Sequence, residues 1–178
     1  MLRLTLICDA GAGVPPGFAD DPPLAAGTPR PVTLPPMDAA WSSPARRALQ
    51  TAALLGLAPT VAAALRDCDH GRWRGRTLAE IARQEPDALA AWVADPDAAP
   101  HGGESVSAVA RRVGSWLDER CGDRGELVAV THGVVIRAAI ARALGTSLAA
   151  CARIDVPPLC RTLLTGQGGG WRLRAHGC

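Results

Sequence analysis

The 178-residue chain contains no lysine, so all nineteen of its basic residues are arginine. Against seventeen acidic residues they leave a net charge of only +2, and they are scattered evenly along the chain. A surface that binds nucleic acid needs a cluster of positive charge to neutralise phosphates. We therefore expect no nucleic-acid partner, and we attribute the arginine, alanine, glycine and proline richness to a GC-rich genome.

The sequence also lacks long hydrophobic runs and paired cysteines. No uncharged apolar run reaches the roughly 18 residues that a membrane span requires. The first strand-like run, residues 4–8, is too short for the apolar part of a signal peptide. The six cysteines are irregularly spaced without a CxxC pair, which favours free thiols over a disulfide framework. We expect a cytoplasmic protein that has no membrane partner, no metal and no cofactor.

Strand-like and helix-like segments alternate along the chain. Strands are predicted at residues 2–8, 39–41, 127–130, 161–165 and 171–174, and an extended segment at 59–65. Helices are predicted at residues 44–55, 77–84 and 87–94. A further helix is predicted to begin after a cap at Ser105, and another runs from residue 133 to just before Gly145. Residues 9–36, rich in glycine and proline, are predicted to form a long loop. This pattern predicts one α/β domain over residues 1–178, a three-layer α/β/α sandwich with a mostly parallel central sheet.

Ligands of such sheets bind beyond the carboxyl ends of the strands. Asp9 follows the first predicted strand, and His132 follows the most apolar one. Both side chains are therefore expected at the same rim of the sheet.

Four segments carry a more specific signal. They read Leu-Thr-Leu-Ile-Cys-Asp-Ala at residues 4–10, Ser-Ser-Pro-Ala-Arg-Arg-Ala-Leu-Gln-Thr at 42–51, Leu-Arg-Asp-Cys-Asp-His-Gly-Arg-Trp-Arg-Gly at 65–75, and Val-Thr-His-Gly at 130–133, the last preceded by Gly-Gly-Glu-Ser at 102–105. In this order and spacing, the chain resembles the histidine phosphatase (phosphoglycerate-mutase-like) superfamily. The resemblance extends over nearly the whole chain and implies the same fold.

In that family a histidine attacks phosphorus, while arginines and a second histidine stabilise the phosphoryl oxygens. A carboxylic acid protonates the leaving oxygen. The resemblance implies that Arg47 is the arginine that binds phosphate, Asp67 the general acid and His132 the second histidine.

The first segment departs from the family pattern. Where the family has Arg-His-Gly, this chain has Cys8, Asp9 and Ala10, so a carboxylate stands in the place of the nucleophilic histidine. With Arg47 and a neutral His132 facing two carboxylates, the pocket has a negative formal charge that repels a phosphate dianion. The sequence therefore predicts weak phosphate binding and no phosphohistidine chemistry.

The sequence favours a repurposed enzyme that is not a phosphatase. Asp9, Asp67 and His132 would perform acid/base chemistry, such as isomerisation, dehydration or hydrolysis, on a small metabolite. Two carboxyls in one cleft push their pKa values apart, so the carboxyl farther from Arg47 is expected to have a raised pKa. Further contacts with the substrate are expected from Cys8, Trp73 and Glu104.

Two alternatives remain open. The chain could be a catalytically silent module that binds or regulates, or a phosphatase that acts through an aspartyl phosphate at Asp9 or with the help of Mg²⁺. The partner is a small-molecule substrate in each enzymatic case, and a homodimer is possible.

Overall fold

The computed structural model describes residues 1–14, 16–28 and 34–177, with a six-stranded sheet at the centre. The strands are β1 (Leu2–Cys8), β2 (Ala39–Ser42), β3 (Thr60–Val61), β4 (Gly125–Thr131), β5 (Arg161–Gln167) and β6 (Gly170–Gly177). Their order is β3-β2-β4-β1-β5-β6, and the first four are parallel. Strands β5 and β6 form an antiparallel hairpin beside β1. The α/β prediction is confirmed, and the sheet is mixed because of this hairpin.

Six α-helices connect the strands within the described residues. They are α1 (Arg46–Leu54), α2 (Leu78–Gln84), α3 (Pro86–Ala94), α4 (Val106–Arg120), α5 (Gly133–Leu144) and α6 (Leu148–Cys151), and short 3-10 helices lie at Ala63–Leu65 and Gly71–Trp73. The predicted cap at Ser105 is confirmed, since its hydroxyl accepts a hydrogen bond from the Ala108 amide. Gly145, with a φ of 61°, ends α5. No helix among the described residues is long and apolar enough to cross a membrane.

Helices cover both faces of the sheet. Leu127 and Ala129 of β4 belong to the large core cluster that includes residues of α4 and α5. Val130 instead packs with Ala48 and Ala52 of α1. Because successive side chains of a strand point to opposite faces, these contacts place α1 on one face of the sheet and α4 and α5 on the other.

Two connecting segments lie near the site. In the predicted loop at residues 9–36, residue 15 and residues 29–33 lie outside the described part, and the remainder contains no helix. Phe18 anchors this loop by packing on Trp73 at 5.1 Å between ring centroids. Residues 59–65, predicted to be extended throughout, form only the short β3 and then turn into a 3-10 helix.

Candidate active site

Three neighbouring strands end at the same edge of the sheet, and each is followed by a polar residue. Strands β1, β2 and β4 are followed directly by Asp9, Ser43 and His132. The Asp9 amide donates to Thr131 O at 2.8 Å, and the Ser43 amide donates to Val130 O at 2.9 Å. The parallel ladder thus continues one residue beyond the strands and fixes the direction in which these side chains leave the sheet.

Asp9, His132 and Ser43 form a hydrogen-bonded row. Asp9 Oδ2 lies 2.8 Å from His132 Nδ1, and His132 Nε2 lies 2.7 Å from Ser43 Oγ. The Ser43 oxygen also accepts a hydrogen bond from the Ala45 amide, which leaves its own proton to donate to Nε2. This pattern fits a ring that carries its proton on Nδ1 and donates it to Asp9. In that tautomer Arg47 Nη2 donates to Asp67 and not to Nδ1. All three residues of the row are buried.

Arg47, in the first turn of α1, joins both predicted carboxylates. Its Nε lies 3.1 Å from Asp9 Oδ1, and its Nη2 lies 2.5 Å from Asp67 Oδ2. The same Nη2 is 2.9 Å from His132 Nδ1. The structure therefore brings together the four residues that the sequence placed at one site, although their catalytic roles remain predictions.

Two residues without a predicted role hold Asp9 in place. The Thr51 hydroxyl accepts a hydrogen bond from the Ala10 amide at 3.0 Å and donates to Arg47 O at 2.7 Å. The Gly11 amide donates to Asp9 Oδ1 at 3.0 Å, from a backbone with a φ of 82° that glycine adopts easily. Thr51 thus connects the turn after β1 to α1, which carries Arg47.

Both carboxyls have lowered pKa values. Burial would raise the pKa of Asp9, but the hydrogen bond and charge of His132, together with Arg47, outweigh burial and lower it. Burial likewise opposes the lowering at Asp67, where His132, Arg47 and the Cys68 amide prevail. The prediction that one carboxyl has a raised pKa is therefore wrong, because the Arg47 guanidinium reaches both groups instead of one.

Two cavities meet at Asp67, whose side chain is 36% exposed. The first, here called the polar opening, has a volume of about 390 Å³ and is lined by Ala19, Asp20, Asp21, Pro44, Ala45, Arg47, Arg66, Asp67, Cys68, Asp69, His70 and Arg74. The second, the apolar cavity, has a volume of about 340 Å³ and is lined by Asp67, Cys68, His70, Trp92, Val93, Ala94, Pro96, Val106, Val134, Arg137, Ala138, Leu148, Ala149 and Ala152. A ligand can therefore approach the cluster beside Asp67.

Trp73 and Glu104, which the sequence proposed for substrate binding, do not line either cavity. Trp73 is fully buried and its Nε1 donates to Glu85 Oε2, so it does not line the mouth. Glu104 is held by Arg112 at 2.8 Å and by Arg66 at 3.0 Å, and it lines neither cavity.

Cys8 is buried behind Asp9. Burial and the neighbouring Asp9 charge raise the pKa of its thiol to about 12. These placements correct the expectation that Cys8, Trp73 and Glu104 contact the substrate, since each packs inside the protein or is already ion-paired.

His70 and His101 are two further histidines in this part of the molecule, with 5.7 Å between their ring centroids. His70 lines both cavities, and burial lowers its pKa despite the nearby Asp67. His101 is buried under Trp73, at 5.0 Å between ring centroids, and its Nδ1 accepts a hydrogen bond from the Gly103 amide. Within the described residues, no group of three histidine, cysteine, aspartate or glutamate side chains is arranged to hold a metal ion.

Comparison with known proteins identifies the family. The family model of the histidine phosphatase superfamily (branch 1) matches residues 30–178. Phosphoserine phosphatase 1 of Hydrogenobacter thermophilus is 31% identical over 119 residues, which are 63% of this chain and 56% of that protein. Glucosyl-3-phosphoglycerate phosphatase of Mycolicibacterium vanbaalenii is 37% identical over 117 residues, 58% of this chain and 52% of that protein. The chain thus matches about half the length of these curated relatives.

Solved structures extend the likeness to the whole fold. The native structure of mycobacterial glucosyl-3-phosphoglycerate phosphatase superposes with a TM-score of 0.80 at 27% identity and covers 99% of this chain and 98% of that chain. These relatives and this neighbour are named as phosphatases, which contradicts our expectation of an enzyme that is not a phosphatase. Because the family model covers most of the sequence, from residue 30 to residue 178, the chain belongs to the histidine phosphatase superfamily.

Proposed function

We propose that the protein is a phosphatase for a small phosphomonoester in which Asp9 is the nucleophile, so that the site works without the family's histidine. The observation that carries this proposal is the position of Asp9 at the end of β1, in contact with both Arg47 and His132. Its lowered pKa favours the ionised carboxylate, which is the nucleophilic form. The phosphatases among the relatives support the reaction class.

The proposed reaction has two steps. Asp9 Oδ2 forms a bond to phosphorus while the bond from phosphorus to the alcohol oxygen breaks, and that oxygen takes a proton from Asp67. Water then attacks the phosphorus of the aspartyl phosphate and gives a proton to the Asp67 carboxylate, which restores this acid. The bond from phosphorus to Asp9 Oδ2 breaks, which releases inorganic phosphate and restores the Asp9 carboxylate. When Oδ2 binds phosphorus, it gives up its hydrogen bond from His132 Nδ1–H. This N–H group and Arg47 then stabilise the phosphoryl oxygens in both steps.

The charges at the site favour this reaction in acid. Asp67 can donate a proton only while it is protonated, and its lowered pKa means that the protonated fraction is small at neutral pH. Two carboxylates beside one arginine also repel a phosphate dianion more than a monoanion. Activity should therefore increase as the pH falls from 8 toward 4, until Asp9 itself becomes protonated.

Phosphate release from p-nitrophenyl phosphate and phosphoserine, measured from pH 4 to 8 with and without Mg²⁺, tests the proposal. We expect Asp9→Asn, which keeps the shape but removes the nucleophile, to lower kcat at least about a thousandfold. Asp118→Asn is the matched control, because Asp118 is exposed on α4 and pairs with Arg142 away from the site.

Equal phosphate release by Asp9→Asn and the wild type would refute the role of Asp9 as the nucleophile. No release by either protein, with or without Mg²⁺, would instead favour a catalytically silent binding module.

A further inference from the structure

The apolar cavity has walls from four helices. Trp92 belongs to α3, Val106 to α4, Val134 to α5 and Leu148 to α6. Asp67 lies in its wall as well and connects it to Arg47. Because Asp67 is the proposed proton donor, a group that fills this cavity lies beside the leaving oxygen of a bound ester. The cavity is thus placed to hold the alcohol part of the substrate.

Two titratable residues of the cavity wall are uncharged at neutral pH. Burial, together with the charges of Glu104 and Asp67, raises the pKa of the Cys68 thiol to about 12. Burial lowers the pKa of His70, whose ring lies 4.8 Å from that of Phe18 and 6.0 Å from that of Trp92. The wall therefore consists of apolar side chains and uncharged rings, apart from Asp67 and Arg137.

Arg137 supplies a positive charge to the wall of the apolar cavity. Its Nε donates to Ile154 O at 2.8 Å, and among the described residues no carboxylate lies within 4 Å of its guanidinium. Its Nη1 lies beside Gly133, 3.6 Å from where a Cβ on that glycine would be, and Gly133 directly follows His132. Arg47, by contrast, is already paired with Asp9 and Asp67. An anionic ligand can therefore bind Arg137 without displacing a carboxylate.

From this arrangement we infer that the substrates are phosphate monoesters of small aromatic or branched aliphatic alcohols. The apolar body of the alcohol fills the apolar cavity, and Arg137 attracts the anionic end. A volume of about 340 Å³ suits a compact ring system, at the lower end of the range for ligand pockets. This inference rests on the proposed function as far as hydrolysis of the ester is concerned. The preference for binding an apolar alcohol group follows from the cavity alone.

Three ligands that cannot be hydrolysed test the inference by isothermal titration calorimetry. They are 1-naphthylmethylphosphonate, methylphosphonate and the neutral 1-naphthylmethanol. We expect the first to bind at least about tenfold more tightly than methylphosphonate, because only it places apolar surface in the cavity. Arg137→Gln should weaken both phosphonates about tenfold and leave the neutral alcohol unchanged.

A pair of variants on α6 locates the binding site. Ala149 is exposed and lines the cavity, so Ala149→Trp should fill it and remove the advantage of the naphthyl group. Ala150 is also exposed but does not line the cavity, so Ala150→Trp should leave all three affinities unchanged.

Equal affinity for the two phosphonates, or undiminished naphthyl binding in Ala149→Trp, would overturn the inference. Because these ligands do not turn over, the outcome is independent of whether the protein releases phosphate. A protein that binds them as expected but hydrolyses no ester would disprove the phosphatase proposal alone.

Discussion

The Asp9 carboxylate lies 2.8 Å from His132 Nδ1, in a row that continues through the ring to Ser43 Oγ. The order serine, histidine, aspartate is that of many hydrolase triads. Here, however, Ser43 is completely buried, and its hydroxyl is held between His132 Nε2 and the Ala45 amide. Ser43 therefore acts as a positioning residue, and the row fixes the tautomer and orientation of His132 relative to Asp9.

Removing the His132 ring should raise the pKa of Asp9. The hydrogen bond and charge of His132 are the strongest of the effects that lower this pKa, while burial continues to raise it. We expect the carboxyl carbon of Asp9 in His132→Ala to titrate at a higher pH than in the wild type, as measured by ¹³C NMR. His176→Ala is the control, since His176 contacts Thr162 and Asp155 instead. An unchanged Asp9 titration in His132→Ala would show that the two groups are not coupled.

Arg47→Gln should destabilise the fold, because it leaves two carboxylates without their cation. Removal of one partner from a buried pair costs about 3–5 kcal/mol in the free energy of unfolding, and Asp67 is only partly buried, so the lower end is expected. Arg142→Gln, which breaks the exposed pair with Asp118, should cost at most about 1 kcal/mol. Urea unfolding at neutral pH compares the two variants.

The loss in the free energy of unfolding that Arg47→Gln causes should also depend on pH. The folded pKa values of Asp9 and Asp67 are below the ordinary 3.8, so the stability that they provide is complete at neutral pH and is lost as the pH falls through those values. The variant should therefore differ most from the wild type near pH 7 and least in strong acid. If the difference in the free energy of unfolding grew as the pH fell, the two carboxyls would not be stabilised in their ionised form by Arg47.

Ser43→Ala should lower the free energy of unfolding by about 1–3 kcal/mol, because His132 Nε2 and the Ala45 amide lose a buried partner. We expect the ¹⁵N NMR shifts of the His132 ring to show less of the Nδ1–H tautomer than in the wild type. Ser107→Ala on α4 serves as the control for a partly exposed serine. A stable variant with an unchanged ring tautomer would remove Ser43 from the positioning network.

The sequence was sufficient to predict most of the sheet and the convergence at its rim. The apolar run at residues 2–8 predicted β1 with its observed bounds. The apolar run that ends before His132 predicted β4, and the apolar segment after His132 predicted α5. Asp9 and His132 meet because neighbouring parallel strands end together, which follows from the fold alone.

The ion pairing and the cavities could not be predicted in the same way. Whether Arg47 contacts one carboxylate or both depends on how α1 packs against the loop of Asp67, and no local pattern encodes that distance. The role of Ser43 was hidden because a buried hydroxyl after a strand resembles an ordinary turn residue. The short α6, which lines the apolar cavity, has too few residues to show a helical period.

In the proposed mechanism, Asp9 carries the phosphoryl group. Protein mixed with a ³²P-labelled aromatic phosphomonoester in the acidic range and quenched with acid should retain label, because acyl phosphates survive acid whereas phosphohistidine does not. Hydroxylamine should release that label, and Asp9→Asn should retain none. Label that is lost in acid, that resists hydroxylamine, or that persists in Asp9→Asn would contradict the aspartyl route.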